Sequence, residues 1–265
     1  SIVSRESALL VNNVLLAVAC FVVFIGTMWP LLAEMFFDRK LSVGPPFFNA
    51  AFTPFMVLLG LFLPIGSAMP WKRAQISRVL KPLRYVFVLA VALGCLAYVL
   101  QTGRSLLGPV GMFLGAWIVM GAVVDLLGRT GRGQGRLRRL SRLPRADWGK
   151  VTAHSGLGVT MAGIAGLMAW NIDDIRAVPI GGTIDVGSYS VQLDNVERSQ
   201  GPNYVATTGY VTLFQDGVEI AQLRPEKRFY PVAQMPTTEA AIDYNLLRDV
   251  YVVIGDEQDT GGWVI

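Results

Sequence analysis

The chain has 265 residues, of which 52% are hydrophobic and only 16% are charged. Charged residues make up about a quarter of an ordinary soluble domain, so this composition excludes a wholly water-soluble protein and indicates that much of the surface faces lipid. The formal net charge is +4. Cys20 and Cys95 lie in apolar runs without a Cys-x-x-Cys motif, which predicts buried thiols without a redox or metal role.

Five apolar stretches are each long enough to cross a bilayer, which takes roughly 20 residues of helix. They cover about residues 8–37, 48–69, 83–100, 106–127 and 151–170. Pro54 and Pro64 interrupt the second stretch and predict a kink in that helix. Asn12 and Asn13, near the start of the first stretch, need interhelical partners or a cavity.

Basic residues are concentrated in two loops, residues 71–84 and 128–150, whereas the loops at 34–46 and 101–105 are nearly balanced. The excess of Lys and Arg places the first pair of loops, and the N-terminus, in the cytoplasm. The basic loops are therefore expected to meet anionic membrane lipid and not nucleic acid. Asp125, near the cytoplasmic end of the fourth stretch, is predicted to pair with a basic residue of the loop that follows.

His154, the only histidine of the chain, lies just inside the fifth stretch. On a helix it shares a face with Gly158, Ala162 and Gly166, which follow at intervals of four. Such a stripe of small residues is typical of close helix packing in membranes. It would equally leave room for a flat, bulky group, and an imidazole at membrane depth favours a functional site such as an iron ligand in a haem protein. The residues alone leave both interpretations open.

The composition changes after Trp170, which predicts a helical domain over residues 1–170 and a β domain over residues 171–265. Asp216-Gly217 lies between two apolar runs, the signature of a type I′ hairpin. Residues 249–255 are predicted to form a buried strand. The predicted fold is thus a polytopic α-helical membrane protein with about five transmembrane helices, followed by a small antiparallel β domain of sandwich or barrel type. Without histidine, cysteine or catalytically spaced carboxylates, the β domain is expected to serve docking or structure.

Several short stretches carry a family resemblance that spans essentially the whole chain. They are SRESALLVNN at 4–13, GTMWPL at 26–31, VGPPFFN at 43–49, AHSGLG at 153–158, and TEAAI at 238–242 with DVYVV at 249–253. Together they resemble the C-terminal part of the CcmF family, the membrane haem lyase of bacterial cytochrome c maturation. The Arg-Glu-Ser…Asn-Asn and Gly-Pro-Pro-Phe-Phe-Asn stretches are the most specific.

The resemblance implies a protein of the bacterial inner membrane with a periplasmic C-terminal domain. Members of the family take haem from the chaperone CcmE and attach it to the Cys-x-x-Cys-His motif of apocytochrome c, which CcmH-type subunits present. They also hold a resident haem b between two histidines of spanning helices. His154 matches the second of these, so it is expected to be an axial ligand of the haem iron, with Gly158 and Ala162 lining the cofactor site.

The chain departs from the family pattern because it has no second intramembrane histidine, no outer histidines and no tryptophan-rich haem segment. The second axial ligand is therefore expected outside this chain. We expect a fragment or one subunit of a split protein, which would be catalytically competent only with the remainder of the lyase.

Two alternatives from other functional classes remain open at this stage. A transporter or channel subunit would use the kinked spans and the polar residues within them for a permeation path, and it predicts solute flux without haem. A non-catalytic membrane scaffold for an assembly complex would use the β domain to bind partners, and it predicts partner binding that survives loss of His154. A haem absorption band that depends on His154 would favour the lyase.

Overall fold

The computed structural model describes residues 3–39, 41–103, 105–131, 133–259 and 261–265. The chain divides into two compact units, Ser1–Asn171 and Ile172–Ile265. The first unit is helical and the second consists of antiparallel strands. The predicted fold class, a polytopic helical membrane protein followed by an antiparallel β domain, is therefore confirmed.

Seven helices form the described part of the first unit. They are α1 (Arg5–Phe37), α2 (Pro45–Ala51), α3 (Thr53–Ala68), α4 (Ile76–Leu100), α5 (Leu107–Arg129), α6 (Arg136–Leu140) and α7 (Arg145–Trp170). Four of them, α1, α4, α5 and α7, are long and apolar enough to cross a membrane. Helices α2 and α3 meet at an angle of 43° and together would make a fifth, broken span.

The break between α2 and α3 gives the predicted kink a definite position. Phe52 separates the two helices, and Pro54 lies in the first turn of α3, where its missing N–H removes no helical hydrogen bond. Pro45 likewise begins α2 in a first-turn position. Pro64 is inside α3 without ending it. The bend therefore comes from Pro54, because its ring clashes with the carbonyl that a continuous helix would place four residues earlier.

Two helices begin earlier than their apolar stretches indicate. Helix α4 starts at Ile76 and α7 at Arg145, so each includes a charged segment before its span. Lys and Arg are good helix formers, and their long side chains reach the polar membrane surface from the end of a span. A search by hydrophobicity alone therefore places the start of these helices about two turns late.

Helix α5 is the centre of the helical unit, because it packs against α3, α4 and α7. Trp117 and Ile118 of α5 are buried with Leu83 and Ala90 of α4. The indole Nε1 of Trp117 donates a hydrogen bond of 3.1 Å to the backbone oxygen of Leu61, which ties α5 to α3. A buried Trp side chain needs such a hydrogen-bond partner, so this bond fixes the position of α3 along the axis of α5.

The outer faces of the spanning helices are apolar and exposed. In α1, 33 residues long, the buried positions are Ala19, Gly26 and Ala33, a stripe with a spacing of seven.

Cys20 and Cys95 are exposed, so the prediction of buried thiols is wrong. An apolar stretch that crosses a membrane can place a thiol towards lipid as readily as towards a protein core, and its sequence does not distinguish the two.

Ten strands form the described part of the second unit. They are β1 (Ala177–Val178), β2 (Thr183–Val186), β3 (Tyr189–Gln200), β4 (Val205–Gln215), β5 (Val218–Leu223), β6 (Glu226–Tyr230), β7 (Met235–Glu239), β8 (Ala241–Tyr244), β9 (Asp249–Val252) and β10 (Trp263–Val264). The main sheet has the order β2-β3-β4-β6-β7, with β5 paired to β4, and two small sheets are formed by β1-β10 and β8-β9.

The core of this unit lies under β3 and β4 and includes Leu193, Val211, Leu213, Ile254 and Trp263. Alternate residues of both strands enter it, as expected for a sheet with one buried face. A β-bulge between Leu193 and Asn195 shifts the register of the long β3-β4 pair. The sheet can therefore bend along its length.

Two local predictions for the β domain have different outcomes. Asp216 (φ 52°) and Gly217 (φ 78°) form the two-residue turn between β4 and β5, which confirms the predicted hairpin. The run at 249–255 is buried only in part, because Asp249 and Tyr251 are exposed on β9, which pairs with β8 alone. The apolar character of this run predicted a buried strand, but the strand lies in a two-stranded hairpin.

Candidate functional site

The imidazole of His154 lines a groove of about 310 Å³ between α1, α3 and α7. The side chain is half-buried. Helix α7 supplies His154 and Lys150, one turn apart, to the groove. The other lining residues are Arg5, Ala8, Leu9, Val11, Asn12 and Leu15 of α1, and Leu59, Phe62, Leu63, Gly66 and Ser67 of α3.

The walls of the groove are mainly apolar, and His154 has no hydrogen-bond or ion-pair partner among the residues that the structure describes. A polar ring in such surroundings costs free energy unless something binds it. Neutral imidazole presents one nitrogen lone pair, the group that binds a metal. The ring is therefore free to act as a ligand.

The residues around His154 fit a haem better than a bare metal ion. A bare ion needs three or more protein ligands, and the described part of the chain contains no cluster of three His, Cys, Asp or Glu side chains. Iron in a porphyrin already has four nitrogen ligands and takes only axial ligands from the protein. One unpaired imidazole beside Leu59, Phe62 and Leu63 meets that requirement from one side.

Ion pairs occupy the end of the groove at which Lys150 lies. Lys150 pairs with Asp125 of α5, and Arg129 also approaches Asp125 at 3.6 Å. Arg129 further pairs with Asp147 of α7 at 2.8 Å. The prediction that Asp125 pairs with a basic residue of the following loop is thus confirmed. These pairs connect α5 to the first turns of α7, just before His154.

The small residues after His154 make a close contact with α5. A Cβ added to Gly158 would lie 2.7 Å from Val119 Cγ2, and one added to Gly115 would lie 3.0 Å from the Ala162 Cβ. Ala165 and Ala169 continue the contact, against Gly111 and Gly108 respectively. Of the two interpretations of the stripe, the structure shows helix packing for Gly158 and Ala162.

Gly166 does not belong to this contact, because the atoms nearest to its Cβ position are those of Trp170 on the same helix. Residues four apart drift by about 40° around a helix of 3.6 residues per turn. Three such steps take Gly166 well away from the direction of His154. The contact instead follows alternating intervals of four and three, along 158, 162, 165 and 169. Small residues with the same alternating spacing occur at 108, 111 and 115 on α5. These two matching patterns were the signal in the sequence for the contact between α5 and α7.

Sequence reasoning did not find that α1 and α3 supply the remainder of the groove. Asn12 lines it, whereas Asn13 is exposed and accepts a hydrogen bond of 3.4 Å from the Asn12 side chain. Arg5 and Ser67 also line it. Arg5 and Asn12 lie within the 4–13 stretch that carries the family resemblance, which was the available signal.

Comparison with known proteins gives consistent matches. The family model described as the CcmF C-terminal beta-sandwich matches residues 169–265. The cytochrome c-type biogenesis protein ccl1 of Rhodobacter capsulatus is 54% identical over 265 residues, which are 100% of this chain and 40% of that protein. The chain corresponds to the C-terminal part of the CcmF family. Among other CcmF relatives, the Escherichia coli protein named cytochrome c-type biogenesis protein CcmF is 32% identical over 99% of this chain and 40% of its own length.

A solved structure of CcmF shares the fold. The chain named cytochrome c heme lyase CcmF aligns with a TM-score of 0.69 and 24% identity, over 100% of this chain and 42% of that one. The family and sequence matches confirm the resemblance to the C-terminal part of CcmF, and the solved structure shows that the fold is shared. The chain spans about 40% of the length of the curated relatives it matches.

Proposed function

We propose that the chain acts in cytochrome c maturation, as the C-terminal part of a haem lyase. The observation that carries the proposal is the unpaired imidazole of His154 in an apolar groove at membrane depth. It is supported by the 54% identical relative, which is named a cytochrome c-type biogenesis protein. A lone histidine in such surroundings is otherwise hard to explain, because ionisable groups in membranes are costly and are kept for function.

In this proposal His154 is an axial ligand of a haem b, and the second axial ligand comes from a part of the protein outside this chain. The haem, when bound, supplies an iron that can pass single electrons to other redox centres. His154 would hold the iron through a ring nitrogen. The apolar side chains of Leu59, Phe62 and Leu63 would form the wall of the groove beside the porphyrin.

Gly158 and Ala162 have an indirect part in this site. Their contact with Gly115 of α5 brings the two helix backbones together one turn beyond His154. Together with the Lys150–Asp125 ion pair one turn before the histidine, this contact fixes α7 on both sides of the ligand. We propose that the two small residues position the helix that carries His154.

The complete lyase, on this proposal, takes haem from CcmE and attaches it to the Cys-x-x-Cys-His motif of apocytochrome c, with CcmH-type subunits as further partners. The basic loops support a bacterial inner-membrane protein whose β unit lies in the periplasm. On this proposal catalysis also needs the remainder of the lyase, because this chain contains a single histidine and the haem is expected to be held between two.

The test is the absorption spectrum of the complete protein with the substitution His154→Ala. The b-type Soret band is expected to be lost. Thr160→Ala, an exposed position six residues along the same helix, is the matched control and is expected to keep the band. A His154→Ala protein that retains the b-type spectrum would refute the ligand role. A complete protein without haem that carries a solute flux would favour the transporter instead.

A further inference from the structure

Arg5, the first residue of α1, lies where two grooves meet. It lines the His154 groove, and it also lines a second groove of about 320 Å³ that extends to Leu83 of α4 and Asp125 of α5. Ser67 lines both grooves as well. Arg5 thus lines the same groove as His154, together with the polar residues Asn12, Ser67 and Lys150.

The surrounding chain fixes the position of Arg5. Its backbone N–H donates to the Pro70 oxygen at 3.1 Å, and its guanidinium stacks over the Trp71 ring at 5.0 Å. The Glu6 carboxylate accepts two hydrogen bonds, of 3.0 and 3.1 Å, from the Lys72 backbone N–H. The segment at 70–74 therefore packs against the start of α1 and holds the Arg5 side chain against the Trp71 ring.

The charge of Arg5 is not neutralised by a carboxylate within the described part of the chain. The other cation of the His154 groove, Lys150, is paired with Asp125. Arg129, on the second groove, is shared by Asp125 and Asp147. Arg5 forms no ion pair with any described residue, although its side chain is half-buried. A guanidinium binds a carboxylate with two parallel hydrogen bonds, so this one is suited to receive an anion.

We propose that Arg5 receives a propionate carboxylate of the haem whose iron His154 binds, an inference that rests on the proposed function. Haem carries its iron at the centre of a flat apolar ring and its two carboxylates along one edge. A groove for haem must therefore offer an axial ligand, an apolar wall and a cation. His154, the α3 side chains Leu59 and Phe62, and Arg5 provide these three elements in one groove. Arg5 is then a positioning residue that sets which edge of the porphyrin lies towards the start of α1.

The test compares haem with haem dimethyl ester, in which both carboxylates are esterified. The complete protein is produced in haem-deficient cells and titrated with each porphyrin, and the ratio of the two dissociation constants is measured from the Soret band. A charged hydrogen-bonded pair is worth about 1.5–3 kcal/mol, so the natural protein is expected to prefer haem by roughly 10-fold or more. Arg5→Gln is expected to bring that ratio close to one.

The matched control is Arg73→Gln, which removes the same charge from an exposed side chain of the 70–74 segment. It is expected to keep the full preference for haem over its dimethyl ester. His154→Ala is expected to weaken both porphyrins while leaving their ratio high. An Arg5→Gln protein with the unchanged ratio would overturn the inference and leave the role of His154 standing. A ratio near one in the natural protein would overturn it as well, without any variant. Unchanged binding of both porphyrins by His154→Ala would instead refute the proposed function.

Discussion

Gly115 of α5 and Gly158 of α7 face each other so closely that neither has room for a side chain. A Cβ on Gly115 would lie 2.6 Å from the Gly158 carbonyl oxygen, and one on Gly158 would lie 2.8 Å from the Gly115 oxygen. Both obstacles are backbone atoms, which cannot rotate away as a side chain can. The position of α7, and with it the position of His154, depends on this contact.

The first prediction is that Gly115→Ala destabilises the helical unit by about 1–3 kcal/mol, the usual cost of overpacking. The added methyl group must push α7 away from α5. Gly163→Ala is the matched control, because nothing lies within 4 Å of its Cβ position, and it is expected to cause no loss. Thermal unfolding of the detergent-solubilised proteins measures both. If Gly115→Ala unfolds at the same temperature as the unchanged protein, α5 and α7 are not packed this closely.

The second prediction concerns the ion pair between Lys150 and Asp125, whose side chains are only 19% and 11% exposed. Asp125→Asn leaves a partly buried ammonium without its partner and is expected to cost about 3 kcal/mol. Lys150→Met should cost less, because Arg129 still approaches Asp125 at 3.6 Å.

The double variant Asp125→Asn with Lys150→Met separates the pair interaction from the effect of each substitution. It is expected to recover part of the lost stability, with a coupling free energy of about 1–3 kcal/mol in a double-mutant cycle. Strictly additive effects would mean that the two residues do not interact in the membrane.

The third prediction is a pH dependence in the β unit. The Tyr210 hydroxyl donates to Glu197 Oε2 at 3.0 Å, and this hydrogen bond, with the charge of the carboxylate, raises the pKa of Tyr210. Because the folded-state pKa lies above the unfolded value of about 10, the bond stabilises the fold below that pH. The contribution is lost as the pH rises through the folded-state pKa.

The tyrosinate absorbance of Tyr210 is obtained by subtracting the alkaline titration of Tyr210→Phe from that of the unchanged protein. Its midpoint is expected above the ordinary tyrosine value and is expected to fall in Glu197→Gln. A midpoint that does not respond to Glu197→Gln would show that the hydrogen bond is absent in solution.

Local rules in the sequence predicted the features that depend on near neighbours. Asp216-Gly217 predicts a hairpin because a type I′ turn needs positive φ at two consecutive residues, which Asp-Gly adopts readily. The spans followed from the length of the apolar runs. The orientation of each span was not predictable in this way, and Cys20 therefore was expected to be buried although it is exposed.

The groove around His154 depends on residues far apart in the chain. Asn12 and Phe62 line it with His154, yet they lie on three different helices. No spacing rule connects such positions, so the sequence singled out His154 but not the residues that surround it. The sequence also predicted a stripe of small residues beside the histidine, but it placed Gly166 in that stripe instead of Ala165 and Ala169. A stripe spaced by four and one spaced alternately by four and three separate only over several helical turns.

The most direct test of the central claim is the absorption spectrum of the complete protein with His154→Gly, recorded with and without added imidazole. Removal of the side chain should abolish the b-type band and leave a space beside Lys150 and Phe62 in the groove. Free imidazole should then enter that space and restore the band in a saturable manner. A b-type band that persists in His154→Gly without imidazole would contradict the account.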